Sequence, residues 1–384
     1  MKKEGLGIET KIVHGSRGEN QVTGAISFPI YQSATFRHPG VDQSTGFDYS
    51  RENNPTRQEV EKAIATLENG TAGFAFSSGM AAISTTLELF YPGDHIIVSD
   101  DLYGGTYRLF EQVSKKNGIK ISYIDTSNIE ELQTCINEKT KGIYIETPSN
   151  PMMKVTDIKK ISALKQQQSI LVIVDNTFLS PYYQRPLELG ADIVLHSGTK
   201  YLGGHNDTLA GFVVVKDEKL IEPIQLLQKT IGAILSPFDS WLILRGMKTL
   251  GIRLKKQQEN AMEIAKWLTE KEEIEKVNYV GLEDHKGYEI SINQASGFGG
   301  MLSFAVKNVE TVNKLLKNVK IISYAESLGG VESLITYPIK QTHTAIPKEM
   351  REKIGVNDKL LRLSVGIEDV DDLINDLEQA MKEE

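Results

Sequence analysis

Cysteine is nearly missing from this chain: Cys135 is the only one in 384 residues. A lone thiol closes no intrachain disulfide, so a disulfide-stapled scaffold is excluded and a reducing compartment fits. Cys135 itself reads as a partly buried structural thiol rather than a nucleophile. A surplus of positive charge is missing too. The 43 Lys and Arg face 51 Asp and Glu, a formal net charge of −8. Proteins whose main work is gripping a phosphate backbone carry a basic face instead. No apolar run approaches the roughly 18 residues of a membrane span. The stretch Met1 to Thr10 is charged and has no apolar centre, so no secretory signal is expected there. The expectation is a cytoplasmic protein that binds neither nucleic acid nor membrane.

Several catalytic signatures are also lacking. The 7 histidines show neither H-E-x-x-H nor paired Cys/His spacing, and no metal site is expected. No G-x-S-x-G nucleophile elbow occurs. The glycine-rich "SGFGGML" does not match G-x-G-x-x-G and lies late in the chain.

What is present is an ordinary apolar content of 40% and a length suited to two domains. Residues 1 to about 57 mix Gly, Ser, Pro and Tyr without a helical period and read as an extended arm, of the kind that lies on a partner subunit. From about 58 to 245, helical stretches such as "TRQEVEKAIATLENG" alternate with apolar runs of strand length: "AGFAFSS", "HIIVSD", "GIYIET", "ILVIVDN", "ADIVLHS" and "AGFVVVK". That alternation predicts an α/β domain with a mainly parallel sheet, its ligands at the strand ends. From 246 to 384, a long amphipathic helix, "GGMLSFAV" and a last helix predict a smaller α+β domain.

The chemistry gathers where strands end. "ADIVLHSGTKYLGGH" runs from an apolar strand through Ser197, Gly198 and Thr199 to Lys200. A lysine just past a buried strand is desolvated, which lowers its pKa and frees a nucleophilic amine. Ser197 and Thr199 offer hydroxyls to a phosphate. Taken alone, "SGTK" describes a solvated turn lysine better. A P-loop is excluded, because Tyr201 follows Lys200 and the first glycine is absent. "ILVIVDNTF" places Asp175 at another strand end, where it either caps the next turn or pairs with a cation such as a pyridinium nitrogen. "AFSSGMAAISTTLELF" passes through Ser77, Ser78, Gly79 and Met80 into a helix whose free amides favour a phosphate, beside an ordinary serine cap. "DLYGGTYRLF" sets Tyr103 next to two glycines, open to stacking on a ring or to packing on its own turn.

Together, "YSRENNPTR", "SSGMAA", "YGGT", "ETPSNP", "VDNTF", "HSGTKYLGGH", "ESLGGVESL" and "RLSVGIE" resemble the cystathionine γ-synthase/γ-lyase group of enzymes that use pyridoxal 5′-phosphate (PLP). The resemblance runs over nearly the whole chain. It implies the fold type I architecture and PLP as cofactor. It implies that Lys200 carries the cofactor and shuttles protons, that Asp175 faces the pyridine nitrogen, and that Tyr103 stacks on the ring and serves as an acid/base. Gly79, Met80, Ser197 and Thr199 then cradle the phosphate, and Asn150 meets the ring hydroxyl. Tyr49 and Arg51 are phosphate ligands given by a neighbouring subunit, implying a homo-oligomer, a tetramer built as a pair of dimers. Arg362 clamps the α-carboxylate of an amino-acid substrate with its planar guanidinium, and Ser327 lies near it.

Subgroup features point to cystathionine. Methionine γ-lyases resemble this chain but carry a cysteine where Gly105 stands. O-acetylhomoserine sulfhydrylases usually lack the "AESLGG" string, which here contains Glu326. Glu326 and Asp48 suit a distal ammonium and Arg108 a distal carboxylate, though all three also suit a solvated rim. Glu52 and Asn53 replace residues that are often small in the family, which bears on substrate fit. The expected activity is a cystathionine lyase working by γ- and β-elimination. The alternative is cystathionine γ-synthase, joining activated homoserine to cysteine.

Overall fold

Short β-branched and aromatic runs, each bounded by polar turns, build a sheet at the centre of this computed structural model, which describes residues 5–15, 23–165 and 169–382. The strands are β1 (Ala72–Phe76), β2 (His95–Ser99), β3 (Lys120–Ile124), β4 (Thr140–Glu146), β5 (Leu171–Asp175), β6 (Ile193–Ser197) and β7 (Gly211–Val215). Their spatial order is β1-β7-β6-β5-β4-β2-β3. Strands β2 to β6 run parallel, and β7 is antiparallel to both β6 and β1. Alternate residues serve opposite faces. Ile173, Ile193 and Val213 pack with Ile83 of the helix Gly79–Leu87. On the other face Val194 and Val214 meet Val60 and Ile64 of the helix Pro55–Leu67. Cys135 ends a short helix and is half-buried against the apolar cluster around Leu132 and Ile143.

The helix Pro55–Leu67 begins before residue 58, where the sequence texture changes. Asn54 explains this: its side chain accepts hydrogen bonds from the amides of Thr56 and Arg57, and Pro55 occupies the first turn. A further helix, Ile8–His14, lies in the stretch read as irregular, with Ile12 buried against the helix Pro55–Leu67. Residues 23–54 contain only isolated bridges, such as Thr35 to Tyr49. Ile26 and Val41 there are 96% and 90% exposed.

A second sheet contains β8 (Ile274–Asn278), β9 (Met301–Val306), β10 (Ser323–Tyr324), β11 (Leu334–Thr336) and β12 (Leu360–Ser364), in the order β10-β11-β12-β9-β8. Leu361 and Leu363 face the helices Val309–Asn318 and Val370–Lys382. Arg362, between them, must point the other way. The helix Leu250–Thr269 joins the two cores: Leu250 and Leu254 pack with the first sheet, Ile264 and Leu268 with the second. Among the described residues, no helix is long and apolar enough to cross a membrane.

Leu254 and Leu268 are both fully buried. Replacing either by alanine should lower the free energy of unfolding by about 2–5 kcal/mol. Urea unfolding followed by circular dichroism measures it. A change within about 0.5 kcal/mol, the usual range for surface sites, would contradict the shared-core role.

Candidate active site

The carboxyl ends of β4, β5 and β6 open into a cavity of about 200 Å3. β4 and β5 end level, with Glu146 the register partner of Asp175, and β6 runs two residues past Leu195, the partner of Asp175, to bring Ser197 to the same opening. The turn after β6 then brings in Lys200. Gly198 makes that turn possible, since a Cβ there would come within 2.5 Å of the Phe212 ring.

Lys200 Nζ donates to Ser327 Oγ at 2.8 Å. Burial, reinforced by the charge of Arg362, pulls the ammonium down to about 8, with Glu326 working against the shift. Asp175 is pushed up by burial, against donors that hold its anion. The Thr177 hydroxyl and amide reach Asp175 Oδ1 at 2.5 and 3.1 Å, and Tyr144 donates to Oδ2 at 3.3 Å. His196, behind Asp175, makes a 2.6 Å contact with fully buried Glu68.

Tyr103 caps the helix Gly104–Leu109, and its amide donates to Glu146 Oε2 at 3.0 Å. Its ring lies over Gly105, where a Cβ would come within 2.4 Å of it. A cysteine at position 105 would therefore displace the tyrosine. Arg362 is buried, with a pKa lowered to about 10 by desolvation. It donates to Asn150 Oδ1 at 3.0 Å, Ser327 O at 2.8 Å and Thr336 Oγ1 at 3.0 Å. Among the described residues its Nε has no hydrogen-bond partner. Ser327 sits at φ 93°, a backbone conformation that costs a non-glycine residue about 1–3 kcal/mol. That conformation lets one residue serve both Lys200 and Arg362.

The cavity thus gathers Gly79, Met80, Tyr103, Asn150, Asp175, Ser197, Thr199, Lys200, Glu326, Ser327 and Arg362. Four other residues singled out in the sequence stand outside it. Arg51 lies over the Tyr49 ring and donates to Lys229 O. Asp48 pairs with His38 at 3.1 Å and accepts from Ser44 at 3.0 Å. Arg108 is exposed on the helix that follows Tyr103.

The residues fit PLP. For the phosphate, the first-turn amides of Gly79 and Met80 lack intrahelical acceptors. Gly79 leaves a groove that a Cβ would close to 3.0 Å from Ser197 Cβ. Thr199 Oγ1, bonded to the Ala210 amide at 3.1 Å, stands at the same mouth. For the pyridine nitrogen there is Asp175, and for the aldehyde the buried amine of Lys200.

The model of the Cys/Met metabolism PLP-dependent enzymes matches residues 9–382. The chain belongs to this family. It is 54% identical to a cystathionine gamma-synthase/O-acetylhomoserine (thiol)-lyase of Bacillus subtilis, over 97% of this chain and 96% of the relative. It is 50% identical to a cystathionine beta-lyase of Lactococcus lactis, over 98% and 99%. Among solved structures, a cystathionine gamma-lyase from Lactobacillus plantarum complexed with L-serine matches with a TM-score of 0.95 and 47% identity, over 98% of this chain and 99% of that one. The chain is accordingly a PLP-dependent enzyme with the fold type I architecture.

Sequence reasoning missed Glu146, Thr177, His196 and Glu68. Glu146, Thr177 and His196 stood in the quoted motifs, Thr177 two positions after Asp175 and His196 next to Ser197. Glu68 lies 128 positions from its partner, and nothing local signals that contact.

Only the neutral amine condenses with an aldehyde, so trapping of PLP by borohydride should rise with pH. The midpoint should fall near 8, the lowered value, rather than at the ordinary 10.5. Peptide mapping should place the pyridoxyl group on Lys200. A label elsewhere, or a midpoint near 10.5, would contradict the desolvated amine.

Proposed function

We propose that this enzyme cleaves L-cystathionine by γ-elimination, with β-elimination as a secondary course, in cytoplasmic sulfur amino-acid metabolism. The observation that carries the reading is Glu326 at the rim of a cavity with Arg362 in its wall. A substrate meeting both needs an α-carboxylate and a distal cation. Cystathionine has both, and methionine lacks the second.

Bound PLP supplies an electron sink for the pair left when the Cα–H bond breaks. Arg362 orients the carboxylate through its fork, including the unpartnered Nε. Asp175 as an anion holds the proton of the ring nitrogen. Lys200 Nζ takes the Cα proton, and for γ-elimination it must also relay a proton from Cβ. The Tyr103 hydroxyl protonates the departing sulfur. With one water consumed on either course, cleavage on the γ side gives cysteine, 2-oxobutanoate and ammonia. The β side gives homocysteine, pyruvate and ammonia.

Tyr49, Arg51 and Asp48 act in a neighbour's site, and Arg108 holds a distal carboxylate in the assembled enzyme. The exposed apolar residues of the arm support a homo-oligomer, a tetramer made of two dimers, because Ile26 and Val41 need cover. Residues 23–54 belong to that arm, the PLP-binding domain runs from the helix Pro55–Leu67 to about 245, and the smaller domain follows from 246.

The second reading, cystathionine γ-synthase, is favoured by the Bacillus subtilis relative at 54% identity. Two assays separate them. The lyase should release a 2-oxo acid and ammonia from L-cystathionine alone. The synthase should form cystathionine faster by orders of magnitude from cysteine and an O-acylhomoserine. The latter result would overturn the lyase assignment. A charge-assisted hydrogen bond contributes about 1.5–3 kcal/mol, so Glu326→Ala should lower kcat/KM for cystathionine roughly tenfold or more relative to methionine. Equal losses on both substrates would contradict the role of Glu326.

Shared sites have their own test. Randomly mixed Arg51→Ala and Lys200→Ala subunits should regain about a quarter of wild-type activity, since each mixed dimer holds one intact site. No recovery would show that Arg51 serves its own subunit.

A further inference from the structure

Two carboxyls stand side by side at the cavity floor, and the chemistry above uses one of them. Glu146 ends β4 and Asp175 ends β5, in direct register on adjacent parallel strands. Strand spacing of about 4.8 Å puts them within strong electrostatic reach. Glu146 is buried and lines the cavity. Its charged and titratable surroundings are Asp175, Asp101 and Arg362, with Tyr144 hydrogen-bonded to Asp175 beside it.

Two adjacent carboxyls in the cavity wall, Glu146 buried and Asp175 half-buried, do not both ionise at neutral pH without a cation between them. Arg362 does not fill that place, because its terminal nitrogens are committed to Asn150, Ser327 and Thr336. The hydrogen bonds decide which acid keeps the proton. Asp175 accepts from the Thr177 hydroxyl, the Thr177 amide and the Tyr144 hydroxyl. Among the described residues, the Glu146 carboxyl accepts from the Tyr103 amide alone, through Oε2. Three donors favour the Asp175 anion, and one donor leaves Glu146 the better proton holder.

We propose that Glu146 is a positioning residue: its carboxyl carries a proton, holds the Tyr103 backbone over the cavity and leaves Asp175 the single ionised carboxylate at the floor. Burial and the Asp175 charge both act to raise the Glu146 pKa, in agreement with the geometry. The placement of Tyr103 follows from this contact. The tyrosine begins a helix with no side-chain cap of its own, and the Glu146 carboxyl takes its amide. Gly104 completes the fixing, packed so closely on the 342–343 backbone that a Cβ would come within 2.0 Å of Thr342 O.

The test compares PLP release from holoenzyme carrying Glu146→Ala, Glu146→Gln or Glu146→Asp, independently of any sulfur substrate. Losing a stacked aromatic contact costs up to about tenfold in affinity, so Glu146→Ala should loosen PLP by about that factor. Glu146→Gln, neutral and of the same shape, should recover most of that loss. Glu146→Asp, acidic but short, should not. Recovery by Asp and not by Gln, or no loss in any variant, overturns the proposal. The infrared spectrum of wild-type holoenzyme minus that of Glu146→Gln supplies a second readout at pH 7. It should contain the C=O stretch of a protonated carboxylic acid. Carboxylate bands alone would overturn the proposal even if the alanine variant failed to fold.

Discussion

Exclusion of water from the carboxyl ends of β4, β5 and β6 governs Lys200, Asp175, Glu146 and Arg362. In water Lys200 would be an ammonium and Asp175 and Glu146 would both be anions. Behind the buried strand ends these states become costly. The lysine amine moves toward its neutral, nucleophilic form, and the acids compete for a limited set of donors. The fold leaves Asp175 well supplied by Thr177 and Tyr144, and leaves Arg362 with an unpaired Nε. The unpartnered Arg362 Nε is available to the carboxylate of an amino-acid substrate. The site is thus organised around charges that its ligands complete.

The rest of the architecture maintains that exclusion. Adjacent parallel strands carry Glu146, Asp175 and Ser197 at their carboxyl ends, and these residues share one opening. The second sheet approaches from the other side with the alternation Leu361, Arg362, Leu363, which buries two leucines in its own core and sends the arginine toward the cavity. Ser327 links the sheets by touching both Lys200 and Arg362. The helix Leu250–Thr269 fixes the two cores relative to each other, and with them the distance between carboxylate clamp and amine.

Much of this was legible along the chain, for physical reasons. Apolar runs of strand length announce a buried parallel sheet, and residues at the ends of such runs face its ligands. Lys200, Asp175 and Gly79 were found that way, while Asn150 and Arg362 rested on the family resemblance. Contacts between distant segments were not legible. The pairing of Glu68 with His196, and that of Glu146 with Asp175, depend on strand order and register. Helix boundaries were blurred where a side-chain cap decides them, as at Asn54. The helix Ile8–His14 was missed because its one buried residue, Ile12, creates no period that a sequence reading could detect.

In the function proposed above, half-buried Asp175 at the end of β5 is held as an anion for the pyridine nitrogen. Thermal unfolding with and without PLP, for wild type and Asp175→Asn, tests it most directly. A ligand that binds only the folded state raises its stability in proportion to the logarithm of its affinity. The account predicts a large rise in Tm with PLP for wild type and a clearly smaller rise for Asp175→Asn, with Lys200 still labelled in both. An equal rise in the two proteins would contradict it.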